Sequence, residues 1–345
     1  MKKSPLGLVA ALSAFALVAC GGTPDGAPLE GPEPSGSTTV VTGDPALNVD
    51  GGAPESTPAS CPNVEVSFTS VVPTVVLLLD QSGSMTEKFG KTTRWQAMRT
   101  ALMDPTRGVV KALDGKVRFG MALYTSKNGF AGGACPLLTE VEVGLGNHAS
   151  LAAKLAAAEP VNDTPTGESL AKVATSLAAL DVPGPKYILL ATDGEPDTCA
   201  EPNPQNGQAV AVAAAKAAKD KGVGTFVVSV GSEVSDKHLQ DMANAGAGVG
   251  SGATFYKAND PAALEAALAT ITAGVRSCTF TLDAKVTDAT RGVVTLDGES
   301  LAMNGADGWK LVSPTQIELQ GAACAKVKTG DHKVKATFAC GDVIK

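Results

Sequence analysis

The run Thr74-Val75-Val76-Leu77-Leu78-Leu79 has no polar face. A short segment that is apolar on both sides reads as a strand inside a sheet covered on both faces, the setting of parallel α/β sheets. The runs 186–192 (KYILLAT) and 223–230 (VGTFVVSV) have the same character and are flanked by polar or Gly breakers. Strands are expected at 74–80, 117–124, 138–144, 186–192, 223–230 and 253–257. They alternate with helical patterns near 92–113, 148–158, 167–180, 207–221, 235–245 and 260–275. In the last of these, Asp260 is an N-cap, Pro261 an N1 proline, and Leu264, Leu268, Ile271 and Val275 form one apolar face. Trp95, Met98 and Leu102 recur at helical spacing and are expected to pack under the sheet. The alternation predicts a doubly wound, mostly parallel α/β fold. Segment 138–144 follows 117–124 without a helix and should be an antiparallel edge strand.

After Val275 the pattern changes to short alternating runs such as Thr279-Phe280-Thr281-Leu282 and 333–338, broken by Gly, Asn and Asp. Residues 278–345 are expected to form a small all-β module. Segment 64–68 alternates in the same way and offers that module a further strand, which would make the α/β unit of 61–277 an insertion.

Lys2, Lys3 and the apolar stretch Leu6–Ala19 mark residues 1–19 as an export leader, too short to span a membrane comfortably. The leader ends in Leu17-Val18-Ala19-Cys20, which resembles the lipobox of bacterial lipoproteins. That resemblance implies cleavage before Cys20 and acylation of it, hence a lipid-anchored protein of the cell envelope. Gly21, where Asp would favour retention, points to the outer membrane, with the inner membrane as the alternative. The periplasmic and surface faces both stay open. Residues 20–60 are rich in Gly, Pro, Ser and Thr and are expected to be a disordered tether, reaching on the order of 35 Å as a flexible coil.

Loss of Lys2 and Lys3 with the leader takes the formal charge from −7 to −9. No basic patch appears, which argues against nucleic-acid binding. The three histidines (His148, His238, His332) have no zinc spacing. Setting Cys20 aside leaves six cysteines, an even number that in an exported chain implies disulfides. Six allow 15 pairings, and the sequence alone selects none.

Open α/β sheets bind ligands at the C-terminal ends of their strands. Three polar segments should meet there. Asp80-Gln81-Ser82-Gly83-Ser84 follows the first strand. Thr164 lies in Asn162-Asp163-Thr164-Pro165-Thr166-Gly167 before a helix. Asp193 lies in Ala191-Thr192-Asp193-Gly194 after a strand. In this order and setting they resemble the von Willebrand factor type A (VWA) domain with its metal-ion-dependent adhesion site (MIDAS), over roughly residues 70–277. The resemblance implies a divalent cation held through the hydroxyls of Ser82, Ser84 and Thr164, with Asp80 and Asp193 acting mainly through bound water. Hard oxygen donors suit Mg²⁺, with Mn²⁺ or Ca²⁺ as substitutes. Neutral hydroxyls leave much of the cation's charge uncompensated, so an open position would attract a Glu or Asp carboxylate from a protein partner. The expected role is adhesion or protein–protein interaction.

An enzyme is not expected. A catalytic metal needs a base beside its water, and Asp163 and Glu195 read as loop solvation or capping. A metal-dependent hydrolase and a structural envelope component with a loop-stiffening metal are the alternatives. Gly246, Gly248, Gly250 and Gly252 follow a helix and precede a strand, the reverse of a dinucleotide fingerprint. Ser82 and Ser84 are not in a G-x-S-x-G elbow.

The implied fold suggests disulfide pairs. Cys135 and Cys199 fall on loops beside the metal, Cys324 and Cys340 would staple the β module, and Cys61 and Cys278 would join the entry and exit of the α/β unit. Several type A domains change affinity by sliding their last helix, here 260–275. A Cys61–Cys278 bridge would restrain that helix.

Overall fold

The computed structural model describes residues 63–127, 133–201, 205–329 and 332–344. The expected leader, the acylated Cys20, the tether and Cys61 lie outside them. Two short strands come first, β1 (Val64–Val66) and β2 (Phe68–Ser70). The α/β unit begins with β3 (Thr74–Asp80), the small hairpin β4 (Lys88–Phe89) and β5 (Thr92–Thr93), α1 (Arg94–Met103) and α2 (Val109–Ala112). It continues with β6 (Arg118–Lys127), β7 (Ala134–Gly144), α3 (His148–Ala156), α4 (Thr166–Ala179), β8 (Lys186–Thr192) and α5 (Gln208–Asp220). It closes with β9 (Val223–Val230), α6 (Asp236–Ala247), β10 (Tyr256–Ala258) and α7 (Pro261–Val275).

These strands form one sheet in the order β10-β9-β8-β3-β6-β7. Every neighbouring pair is parallel except β6 with the edge strand β7. The central strand β3 is buried along its whole length, as its apolar run requires. Its side chains alternate between two cores. Val75, Leu77 and Leu79 pack with Trp95, Met98 and Leu102 of α1 and with Leu264, Leu268 and Ile271 of α7. Val76 and Leu78 pack with Leu170 and Val173 of α4, Ala211 and Ala215 of α5, and Leu239 and Met242 of α6. Burial of each such large apolar side chain contributes about 1.5–3 kcal/mol. Asp260 caps α7 by accepting from the Ala263 N–H at 2.9 Å, with Pro261 at the first helical position.

The helical pattern near 92–113 is interrupted. Pro105 removes an N–H and restricts Asp104, and the chain turns instead of continuing the helix. Asp104 Oδ1 accepts from the N–H groups of Thr106 and Arg107 at 2.9 and 2.8 Å, and a separate short α2 follows. The strand expected at 253–257 is the shorter β10, and that expected at 138–144 begins earlier, at Ala134.

Beyond α7 the chain forms β11 (Thr279–Leu282), β12 (Lys285–Val286), β13 (Val293–Leu296), β14 (Glu299–Leu301), β15 (Trp309–Ser313) and β16 (Gln316–Leu319). Helix α8 (Gly321–Thr329), β17 (Val334–Phe338) and β18 (Val343–Ile344) complete it. Two four-stranded antiparallel sheets, β1-β17-β13-β14 and β15-β16-β11-β2, enclose a core around Trp309, Phe280, Leu296, Ile317 and Phe338. The Trp309 and Phe338 rings meet edge to face at 6.2 Å. Because β1 pairs with β17 and β2 with β11, the α/β unit is inserted between strands of the β module.

Cys135 is bonded to Cys199, and Cys278 to Cys324. The expected pairs Cys61–Cys278 and Cys324–Cys340 are therefore not formed. Helix α8, absent from the sequence reading, carries Cys324 to the end of α7. Cys340 is also disulfide-bonded, and the other four described cysteines are taken by those two bridges.

Candidate metal centre

β3 delivers Asp80 to the C-terminal end of the sheet, where it is fully buried. Its carboxylate is held by three donors. The Ser82 N–H gives to Oδ1 at 2.8 Å, while Thr192 Oγ1 and Tyr124 OH give to Oδ2 at 2.7 and 3.2 Å. Strand pairing explains the arrangement. Tyr124 on β6 is in register with Asp80, and Thr192 ends β8 on the other side of β3. Gln81 adds a ladder bond to the Tyr124 carbonyl at 3.0 Å before the chain enters the 3-10 turn Gly83–Thr86.

In that turn Ser82 and Ser84 bring their hydroxyl oxygens to 3.0 Å. Ser84 Oγ also donates to Asp193 Oδ1 at 2.8 Å. Asp80, Ser82, Ser84 and Asp193 thus form one continuous hydrogen-bonded chain across two strand ends. The loop carrying Thr164 is stitched to the same turn. Gly83 N–H donates to the Asn162 carbonyl at 3.0 Å, and Val161 N–H to the Gln81 carbonyl at 2.7 Å. Asn162 has φ of 58°, a left-handed conformation that Asn tolerates better than most residues. Thr125 Oγ1 donates to the Val161 carbonyl, and Ser126 Oγ to Asp163 Oδ2 at 2.6 Å. Thr164 itself is 4% exposed and locked to the loop after β8: its N–H donates to Asp197 Oδ2 at 3.0 Å, and the Asp197 N–H returns to the Thr164 carbonyl at 2.9 Å.

Burial raises the Asp80 carboxyl above its ordinary value of 3.8, although its hydrogen bonds with Ser82, Thr192 and Tyr124 oppose the shift. Burial and the neighbouring Asp80 charge push Asp193 up to about 7, against the pull of Arg94 and Ser84. Two buried carboxylates this close favour a positive charge between them. The donor set fits a small hard cation. The Ser82 and Ser84 oxygens, 3.0 Å apart, are close enough to share one such ion. Among the described residues no group of three or more His, Cys, Asp or Glu is gathered as a metal cluster, so any cation here rests on hydroxyls and two carboxylates.

Four contributors escaped the sequence reading. Tyr124 and Thr192 hold Asp80, and Asp197 holds Thr164. Arg94, at the start of α1, donates from Nη1 to Asp193 Oδ2 at 2.9 Å. The signal for Tyr124 was its place at the end of a strand neighbouring β3. Arg94 had a weaker one: a cation in the first turn of a helix works against the helix dipole and needs a reason.

A profile of the von Willebrand factor type A domain matches residues 74–270, more than half of the chain. No curated protein sequence matches the chain significantly. Among solved structures, the pilus adhesin SpaC of Lactobacillus rhamnosus GG is similar at 17% identity and a TM-score of 0.49, covering 79% of this chain and 40% of the adhesin. The PilB minor pilin of Streptococcus sanguinis is similar at 15% identity and a TM-score of 0.45, covering 59% of this chain and 61% of the pilin. Proximal thread matrix protein 1 of the mussel byssus, in a form with a zinc-occupied MIDAS motif, is similar at 14% identity and a TM-score of 0.42, covering 61% of this chain and 47% of that protein. This chain thus spans less than two thirds of the length of each of these relatives. By the profile match and the fold together, the chain belongs to the von Willebrand factor type A domain family.

Proposed function

We propose that Asp80, Ser82, Ser84, Thr164 and Asp193 hold one divalent cation, Mg²⁺ by preference and Mn²⁺ or Ca²⁺ as substitutes. Through an open position on that cation the chain binds a Glu or Asp carboxylate of a protein partner. The observation that carries this reading is the hydrogen-bonded chain Asp80–Ser82–Ser84–Asp193, which gathers hard oxygen donors from two strand ends, its two serine oxygens 3.0 Å apart. The cation would supply Lewis acidity toward the partner's carboxylate. The protein's part is to orient the hydroxyls and to keep the carboxylates in place. Binding rather than hydrolysis is favoured because Asp163 and Glu195, the two carboxylates next to the motifs in sequence, are both engaged. Asp163 accepts from Ser126, and Glu195 accepts from the Ser235 N–H at 2.7 Å and Gln208 Nε2 at 3.1 Å.

The sequence adds a setting to this role. Acylation of Cys20 would place the domain on a tether at the envelope, most simply at the outer membrane. No described helix is long and apolar enough to cross a membrane. Calorimetric titration of Mg²⁺ into the wild-type chain and Asp80→Ala tests the reading. Saturable uptake by the wild type only, together with chelator-sensitive binding to an acidic partner, is the expected result. Turnover of a substrate would favour a hydrolase, and a melting shift without partner binding would favour a purely structural metal.

A further inference from the structure

Arg94 is placed at a cost. It is the first residue of α1, where unpaired N–H groups already present positive charge, and it is 4% exposed. Compensation comes from three carboxylates on three separate segments. Asp193 after β8 lies 2.9 Å from Nη1, while Glu87 before β4 and Glu233 after β9 lie 3.0 and 2.6 Å from Nη2. Gly231 makes room for the guanidinium. Its φ of +117° suits glycine, and a Cβ there would fall 3.0 Å from Arg94 Nε and 2.8 Å from Glu233 Oε2. Of the three carboxylates only Asp193 is buried; the side chains of Glu87 and Glu233 are 57% and 49% exposed. The arrangement is a built seat for one guanidinium, opening on the metal centre through a single contact.

That contact divides Asp193. Oδ1 accepts from Ser84 and Oδ2 from Arg94. We propose, resting on the cation reading above, that Arg94 is a positioning residue that keeps Asp193 out of the cation's inner shell and so reserves positive charge for the partner's carboxylate. Each oxygen has a lone pair to spare, so Asp193 would ligate the ion by swinging towards it, and its bonds from Arg94 and Ser84 oppose that swing. Arg94 cannot follow it, because Glu87 and Glu233 hold the other end of the fork. The guanidinium charge also opposes a second cation nearby. Both effects lower the affinity for the bare ion and leave it more electrophilic at its open position. A neutral residue at 94 removes both restraints: Asp193 becomes a direct ligand, the ion binds more tightly, and a bound water leaves.

The test uses the full chain, with Mg²⁺ affinity read by calorimetry and the waters on bound Mn²⁺ counted by proton relaxation. Arg94→Gln should bind Mg²⁺ about tenfold more tightly, with one water fewer on Mn²⁺, while Arg94→Lys keeps the wild-type water count. The wild-type chain should carry about three waters on Mn²⁺, the hydroxyls of Ser82, Ser84 and Thr164 taking the other positions of a six-coordinate ion. That count carries the test if Arg94→Gln does not fold, and about two waters on the wild type, with Asp193 as a fourth ligand, overturns the proposal. Arg94→Gln with unchanged or weaker affinity and an unchanged water count also overturns it, leaving Arg94 a structural ion-pair residue. No metal uptake by the wild type would overturn the cation reading itself and the proposal with it, a result distinct from either variant's failure.

Discussion

Asp80 is fixed by three neighbours before any cation arrives, and each fixes a different direction. Thr192 makes the shortest bond to its Oδ2, at 2.7 Å. Thr192→Val keeps the shape but leaves that buried oxygen one donor short. The variant should lose about 1–3 kcal/mol of stability and about 10–100-fold in Mg²⁺ affinity, read by melting and by calorimetry. Unchanged affinity would show that Asp80 needs no such support. Asp193 gives a pH signature. Without a cation its pKa is about 7, against 3.8 in an unfolded chain. Between those values the folded state holds a proton that the unfolded state has released. Its contribution to stability is therefore full below pH 3.8 and lost as pH rises through about 7. On the proposed cation reading, saturating Mg²⁺ would replace that proton. The melting gain from Mg²⁺ should be larger at about pH 7.5 than at about pH 5; an equal gain at both would contradict the assignment.

At the scale of elements, the loop after β8 governs the Thr164 side of the site. Asp197 grips Thr164, the Cys199 N–H donates to Glu168 Oε1 at 2.8 Å, and Cys199 is bridged to Cys135 at the start of β7. The bridge spans a sequence separation of 64, for which loop-closure entropy gives about 4 kcal/mol. Cys135→Ala/Cys199→Ala should lower stability by roughly 2–4 kcal/mol and also weaken Mg²⁺ binding, because Thr164 loses its brace. A stability loss with unchanged metal affinity would show that the loop holds without the bridge. The sheet was legible because central parallel strands must be apolar on both faces, and β3, β8 and β9 announce themselves. The hydroxyl and carboxylate motifs were legible because each follows such a strand or precedes a helix. Arg94, Tyr124 and Asp197 were not, because their roles arise from neighbours distant in sequence. The disulfides of the β module failed for the same reason. Helix α8 carries Cys324 to Cys278, whereas β1, which starts just after Cys61, pairs with β17, which ends just before Cys340.

Across the whole molecule, the candidate metal centre and the β module occupy opposite ends of the α/β unit. Segments 71–73 and 276–278 connect the two at the N-terminal ends of the strands, where Thr74 N–H donates to the Pro185 carbonyl and Arg118 N–H to the Pro73 carbonyl, each at 2.9 Å. The junction is fastened by Cys278–Cys324, by Arg276 Nη1 to the Lys328 carbonyl at 3.2 Å, and by Lys328 Nζ to the Gly274 carbonyl at 3.1 Å. The bridge at the end of α7 thus runs to α8 and not to Cys61. Cys278→Ser/Cys324→Ser should cost roughly 2–5 kcal/mol of stability yet leave Mg²⁺ affinity within about twofold, since the bridge lies far from the site. A marked affinity change would reveal coupling along α7.

The most direct measurement is anomalous diffraction from crystals of the chain soaked with Mn²⁺. One strong peak is predicted about 2.2 Å from Ser82 Oγ, Ser84 Oγ and Thr164 Oγ1. No peak there, or a peak only at other carboxylates, would contradict the account.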